Sequence, residues 1–262
     1  MLLQDKIVIV SGIGPGLGQH LAARSAAEGA AVVLAARGEE GLERARQHVL
    51  DVTPDARLLL VQTDIRDRGQ CERLAQQTID EFGRIDVLIN NAYSGGSMGP
   101  IEHADMDDWI DTVNTNLVGS MHITQSVIGA MKEQGSGSIV MINTMVVHKP
   151  MMYNAGYAAS KAALGSASSH LALELGQYGI RVNSLFMGWM HGPNVVAFLE
   201  HQASERGIPR EEVEAEIAQR ISLRRIPTDE ECAGAALFMA SDYASAVTGA
   251  NLDVNGGDYL PH

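Results

Sequence analysis

Along the chain, short and nearly uninterrupted apolar runs alternate with longer stretches whose apolar residues recur every three or four positions. The runs Lys6–Val10, Ala31–Ala35, Leu58–Gln62, Val87–Asn90, Ser138–Asn143, Arg181–Phe186 and Ala250–Val254 are rich in β-branched residues. Continuous rather than alternating hydrophobicity marks strands covered on both faces. The segments Gly16–Glu28, Glu39–Val52, Arg68–Phe82, Met106–Glu133, Ala155–Gln177 and Asp229–Met239 read as helices. Pro54 follows the second, Asp105 caps the fourth, and Thr228-Asp-Glu-Glu231 forms a capping box before the sixth. Strand and helix in alternation require right-handed crossovers. The pattern therefore predicts an α/β fold: a single doubly wound domain over residues 1–262 with a seven-stranded parallel sheet.

One stretch breaks the rhythm. Between Met187 and Pro227 there is no strand, only two short helical patterns, Asn194–Arg206 and Arg210–Ile221, joined by Gly207-Ile-Pro209. An excursion after a strand's carboxyl end lies where such sheets bind ligands. It is expected to be a substrate lid, with a surface insertion as the alternative.

The loop Ser11-Gly-Ile-Gly-Pro-Gly-Leu-Gly18 links the first strand to the first helix. Glycines there permit a tight turn and let a pyrophosphate approach the main chain, while the helix N-terminus offers amide donors and the positive end of its dipole. The strand–loop–helix context makes this a Rossmann-type dinucleotide site, with Ser11, Gly12, Gly14, Gly16, Leu17 and Gly18 as contacts. A carboxylate at the end of the second strand would pair with the ribose diol of NAD(H). This chain has Ala36 and then Arg37, which suits a 2′-phosphate and favours NADP(H), with NAD(H) as the alternative. Arg37 as a solvated surface charge is the competing reading.

Composition narrows the partners. The 262 residues are 45% hydrophobic but 5% aromatic, as an Ala/Val/Leu/Ile-packed interior requires. A formal charge of −13 excludes a nucleic-acid partner and an anionic membrane surface, both of which demand a basic face. The nine histidines lack ligand spacing, so no metal is expected. Cys71 and Cys232 stand far apart in helical segments, read as buried thiols of a reducing compartment. Met1–Gly12 reads as a first strand rather than a signal peptide, and no apolar run approaches a membrane span, so a cytoplasmic location is expected.

Further motifs accompany the glycine loop: Asp64-Ile65, Asn90-Asn91-Ala92, Asn116, and Tyr157-Ala-Ala-Ser-Lys161. In this order and spacing the chain resembles the short-chain dehydrogenase/reductase family, nearly from end to end. Tyr and Lys four apart share one helix face. An ammonium beside the phenol is expected to lower its pKa from about 10 toward neutrality, making Tyr157 an acid/base for a substrate oxygen. The resemblance implies that Lys161 also bonds the nicotinamide ribose and that Asn116 helps hold a proton-feeding water. It also implies a hydroxyl on the substrate oxygen; the family's usual serine is Thr144 in this chain. Asp64, Ile65, Asn91, Ala92, Gly188 and Met190 complete the implied cofactor set. A homodimer or homotetramer is implied too, with the Met106–Glu133 and Ala155–Gln177 helices at interfaces.

Three positions depart from the family pattern: Tyr93 for a glycine, Met187 for a proline, and Gly192 for a threonine that often binds the nicotinamide carboxamide. A reshaped pocket explains them, as would drift in an inactive member; the intact Asn116, Thr144, Tyr157 and Lys161 favour the enzyme. Met141, Met145, Met151, Met152, Met187 and Met190 fall on segments flanking the site, with Tyr93, Tyr153, Phe186 and Trp189. Methionine adapts to irregular apolar ligands, so a hydrophobic secondary alcohol or ketone is the expected substrate, with Tyr93, Met145, Tyr153 and Trp189 as contacts. Two rivals stand beside this reading. Arg206, Arg210, Arg220, Arg224 and Arg225 keep open a 3-oxoacyl-thioester reductase, and a cofactor-binding regulatory protein without turnover could use the same fold.

Overall fold

The computed structural model describes residues 1–261, and in it each apolar run forms a strand. These are β1 (Ile7–Ser11), β2 (Ala31–Ala36), β3 (Leu58–Gln62), β4 (Val87–Asn90), β5 (Gly137–Thr144), β6 (Ile180–Met187) and β7 (Asn251–Val254). They pair in parallel in the order β3-β2-β1-β4-β5-β6-β7. Helices cover both faces, which is why β1 is buried along its whole length. Val8 and Val10 pack with α1 (Leu17–Ala27), α2 (Glu39–Val52) and α9 (Asp229–Ala240). Ile7 and Ile9 point the other way, toward α3 (Arg68–Phe82), α5 (Ser120–Gln134) and α6 (Ala155–Leu175). This is the two-residue alternation of a strand with two apolar faces.

The chain leaves β1 toward β2 and β3, then returns to place β4 on β1's other side. The carboxyl ends of β1 and β4 therefore lie side by side, with Ser11 opposite Asn90. Connections diverge there, opening the crevice in which doubly wound sheets bind ligands.

The long helix expected over Met106–Glu133 is divided. After α4 (Met106–Val113) the chain widens into a π-helical segment, Asn114–Gly119, before continuing as α5. Apolar periodicity carries through the widening, so the sequence pattern does not show it. Such segments commonly mark functional sites, and this one carries Asn116.

Beyond β6 the chain forms α7 (Pro193–Arg206) and α8 (Arg210–Ala218). Leu199, Ala203, Val213, Ile217, Ile221 and Ile226 give this excursion an apolar cluster of its own. Its two ends meet where His191 pairs with Thr228 in a single β-bridge and donates its N–H to Pro227 O at 2.8 Å. Cys71 and Cys232 are free, and burial pushes both thiols up to about 12. Among the described residues, no helix is long and apolar enough to cross a membrane, and no cluster of metal-ligating side chains occurs.

Candidate active site

The glycine loop is shaped by close contact with the exit of β4. Gly12 has φ +74°, and a Cβ there would lie 2.3 Å from Ala92 Cα, so only glycine fits. The Asn91 amide donates to Gly12 O at 2.8 Å. Ser11 Oγ accepts from the backbone N–H groups of Asn91 (3.2 Å) and Ala92 (3.4 Å). Ser11, expected among the cofactor contacts, is thus buried behind the cavity wall, where it ties two loops together.

Two adjoining cavities open at the switch point. The first, about 290 Å³, is lined by Gly12, Gly14, Gly16, Leu17, Gly18 and Asn91 on the loop side. Thr144, Tyr157, Lys161, Gly188 and Met190 line the same space. The second, about 620 Å³, shares Gly12 and Tyr93 with the first and adds Arg37, Asp64, Ile65 and Ala92. Arg44 and Arg66 also border it, two cations that the motif reading missed because both sit in exposed helical or loop positions. Arg66 grips Asp64 at 2.7–3.1 Å and holds that carboxyl below its ordinary value.

The catalytic candidates converge where β5 ends against α6. Thr144 closes β5, its Oγ1 accepts from Val146 N at 3.4 Å, and it lines the same cavity as the Tyr157 phenol. Lys161, one turn along α6, is buried and donates from Nζ to Ile142 O at 2.8 Å. Asn143 clamps the two elements: its Nδ2 donates to Lys161 O (3.0 Å), and its Oδ1 accepts from Thr144 N (2.8 Å). Asn116 does not line the cleft. Its side chain accepts from Ser94 N (2.7 Å) and donates to Ser94 O and Ser160 Oγ (both 2.9 Å). Ser160 Oγ in turn donates to Tyr157 O at 2.7 Å, linking the π-helical segment to the turn of α6 that carries the tyrosine.

Asn143, Ser94 and Ser160 went unrecognised in the sequence because their task is to hold backbone, which any short polar residue at that register could do. The titration expected of the pair is reversed. Burial drives the Tyr157 phenol upward, Thr144 only partly offsetting it, and burial pushes Lys161 down to about 7. Lowering the phenol toward neutrality requires a nearby ammonium, whereas this buried lysine is directed at a carbonyl.

With this geometry in view, the comparisons are informative. The chain matches over residues 12–258 a family model described as enoyl-(acyl carrier protein) reductase. Levodione reductase of Leifsonia aquatica is 34% identical over 253 residues, covering 97% of this chain and 94% of that protein. A levodione reductase crystal structure superposes with a TM-score of 0.91 at 33% identity, covering 97% of each chain. Cyclohexanol dehydrogenase of a Rhodococcus species is 32% identical, covering 97% of this chain and 96% of its own. An actinorhodin polyketide ketoreductase structure with NADPH gives a TM-score of 0.88 at 31% identity, covering 97% of each chain. The chain belongs to the short-chain dehydrogenase/reductase family.

As a short-chain dehydrogenase/reductase it is an NAD(P)-dependent oxidoreductase of CH–OH groups. Its departures from the family pattern now have surroundings. Tyr93 lies 6.2 Å from Tyr157, ring to ring, and its hydroxyl accepts from Asn194 Nδ2 at 2.7 Å, connecting the β4 exit to α7. Met187 lines the cleft. Gly192 faces the carboxylate of Asp229, a cleft residue that no motif signalled.

Of the four expected substrate contacts, only Tyr93 lines the main cleft. Met145 is buried in the turn after β5, Trp189 packs on Phe198 against the apolar cluster of the excursion after β6, and Tyr153 borders a separate small cavity beside Trp109. Periodicity places a residue near an element's end but not the direction its side chain takes.

Proposed function

We infer that this enzyme reduces a hydrophobic ketone to a secondary alcohol with NADP(H). The observation that carries the reading is the convergence of the Thr144 hydroxyl, the Tyr157 phenol and Lys161 in one cleft with the glycine loop. The residues lining the two cavities would hold the dinucleotide, whose chemistry would be hydride donation to the ketone. Thr144 donates a hydrogen bond to the carbonyl oxygen, and Tyr157 delivers the proton that completes the alcohol. Asn143, Ser160 and Asn116 position these groups through the backbone.

The apolar substrate class rests on Ile142, Met187, Met190, Val195 and Tyr93 around the cleft. Cyclohexanol dehydrogenase, by its name, handles an alicyclic alcohol of that class. The 3-oxoacyl-thioester alternative draws on the polyketide ketoreductase neighbour, but three of the five arginines named for its anionic arm are engaged. Arg206 pairs with Glu216 and Arg225 with Glu231, each at 2.6 Å, while Arg224 donates to Gln219 O. Residues 187–227 serve as the lid. Exposed Met106, Ile110 and Leu173 on α4 and α6 support a homodimer or homotetramer, and free buried thiols support a cytoplasmic setting.

The cofactor preference rests on Arg37, with Arg44 and Arg66 around the same cavity. Turnover of a panel of apolar ketones should be faster with NADPH than with NADH. Arg37→Ala should weaken NADPH binding by about 1.5–3 kcal/mol, the worth of a charge-assisted hydrogen bond, and leave NADH unchanged. A wild-type preference for NADH would overturn the assignment.

A further inference from the structure

Three helices begin at one point in the cleft. Gly16 is the N-cap of α1, Gly192 the N-cap of α7, and Asp229 the first residue of α9. Neither glycine supplies a side-chain cap. Gly192 N–H is bonded to Met190 O and Pro193 has none, so the donors left at this point are the first amides of α1 and those of Asn194 and Val195. The positive dipole ends of α1 and α7 face a shared space that attracts an anion. Residues 192 and 229 are distant in sequence, and the His191–Thr228 bridge brings them together.

A carboxylate already stands there. A Cβ built on Gly192 would lie 2.0 Å from Asp229 Oδ2, and one built on Gly16 would lie 3.4 Å from it. Asp229 lines the cleft yet is 5% exposed, and among the described residues no hydrogen bond or ion pair ends on its carboxylate. The groups facing it are His20 from α1 and His191 from the segment before α7, with the neutral Cys232 thiol on its own helix. His191 is itself drawn to Glu214 at 3.4 Å. The neighbouring acids have other partners: Glu230 pairs with Arg24 at 3.5 Å and Glu231 with Arg225. Burial raises the Asp229 carboxyl, and the two histidines only partly oppose the shift.

We propose that Asp229 competes with the dinucleotide's pyrophosphate for this anion site, so that the cofactor binds with uptake of one proton on Asp229. The proposal rests on the dinucleotide reading above. Two anions side by side disfavour each other's ionised form, so the bound pyrophosphate raises Asp229 beyond its value in the free enzyme. Affinity is then full below the free-enzyme value. It falls as pH rises through that value, by up to about tenfold per unit until the bound-state value is passed. Gly192 is part of the same device, because any side chain there would expel the carboxylate.

The test is NADPH and NADH affinity, read from nicotinamide fluorescence from the ordinary carboxylate range upward, about pH 4.5 to about pH 8. NADH serves because it has no 2′-phosphate to titrate. In wild type both dinucleotides should loosen by about tenfold across the range. Asp229→Asn keeps the shape without the charge; its affinity should be flat and, at the alkaline end, about tenfold tighter than wild type. Asp229→Ser, which also cannot ionise, should give the same flat profile and provides the reading if the asparagine variant does not fold. A flat wild-type profile overturns the proposal. So does a pH dependence that persists in both variants, which would assign the titration to His20 or His191. If neither dinucleotide binds at any pH, the cofactor reading falls, and this proposal with it.

Discussion

Lys161 and Asn194 line the same cleft from opposite sides, and they are held in opposite ways. Lys161 is buried, with Nζ on Ile142 O and its own carbonyl on the buried Asn143 amide. Asn194 is exposed and is joined across the cleft only to Tyr93, itself 51% exposed. On the floor, each hydrogen bond is shielded from water, so losing one leaves an unsatisfied polar group. At Asn194, water replaces the lost partner. The contrast fits the function proposed above, in which proton transfer would need hydroxyls held to within a fraction of an ångström and substrate entry an element that opens at small cost.

The strongest way to break this contrast is at the proton donor. Tyr157→Phe should lower turnover by about 10²–10⁴-fold while fold and cofactor binding persist. Lys161→Ala should be at least as damaging, and Tyr153→Phe should leave turnover near wild type. Steady-state rates with NADPH and the best ketone decide it; an inactive Tyr153→Phe beside an active Tyr157→Phe would move the site elsewhere.

A smaller effect should appear in stability against pH. Lys161 is held at about 7 in the folded chain against a usual 10.5. Between those values the unfolded chain binds a proton that the folded chain does not, so stability due to this group rises with pH. The slope is about 1.4 kcal/mol per unit. The raised Tyr157 phenol opposes this only above its usual 10.0, where the unfolded chain alone ionises. Urea titrations of wild type and Lys161→Met should differ by one proton's slope across this window; parallel curves would mean that the lysine remains charged in the fold.

The smallest effects sharpen the difference between Lys161 and Asn194 directly. Asn143→Ala should cost about 1–3 kcal/mol of unfolding free energy, because it removes the acceptor of the buried Thr144 N–H and the second donor to the Lys161 carbonyl. Tyr93→Phe, which removes only the hydroxyl held by Asn194, should stay within about 0.5 kcal/mol. Equal losses in the two variants would erase the distinction drawn above.

The strands, the alternation and the phosphate loop were legible because local rules govern them: double-sided burial gives continuous apolar runs, and a backbone approach to an anion demands glycine. Tyr157 and Lys161 were legible because a helix brings residues four apart onto one face. Trp189 and Met145 were misplaced because each lies at an element's end, where packing chooses the side chain's direction. The direction of both pKa shifts was also beyond the sequence, since it depends on burial and on which acceptor the lysine reaches.

What the chain's own pattern determined, then, is a parallel sheet with a dinucleotide loop and a Tyr–Lys helix face. Tertiary structure alone decided the rest. It widened the helix at Asn116 so that its amide could hold Ser94, closed the base of the excursion after β6 with the His191–Thr228 bridge, and set Asp229 against Gly192. Those pairings join residues from separate crossovers, and no periodicity within one element encodes a contact between two.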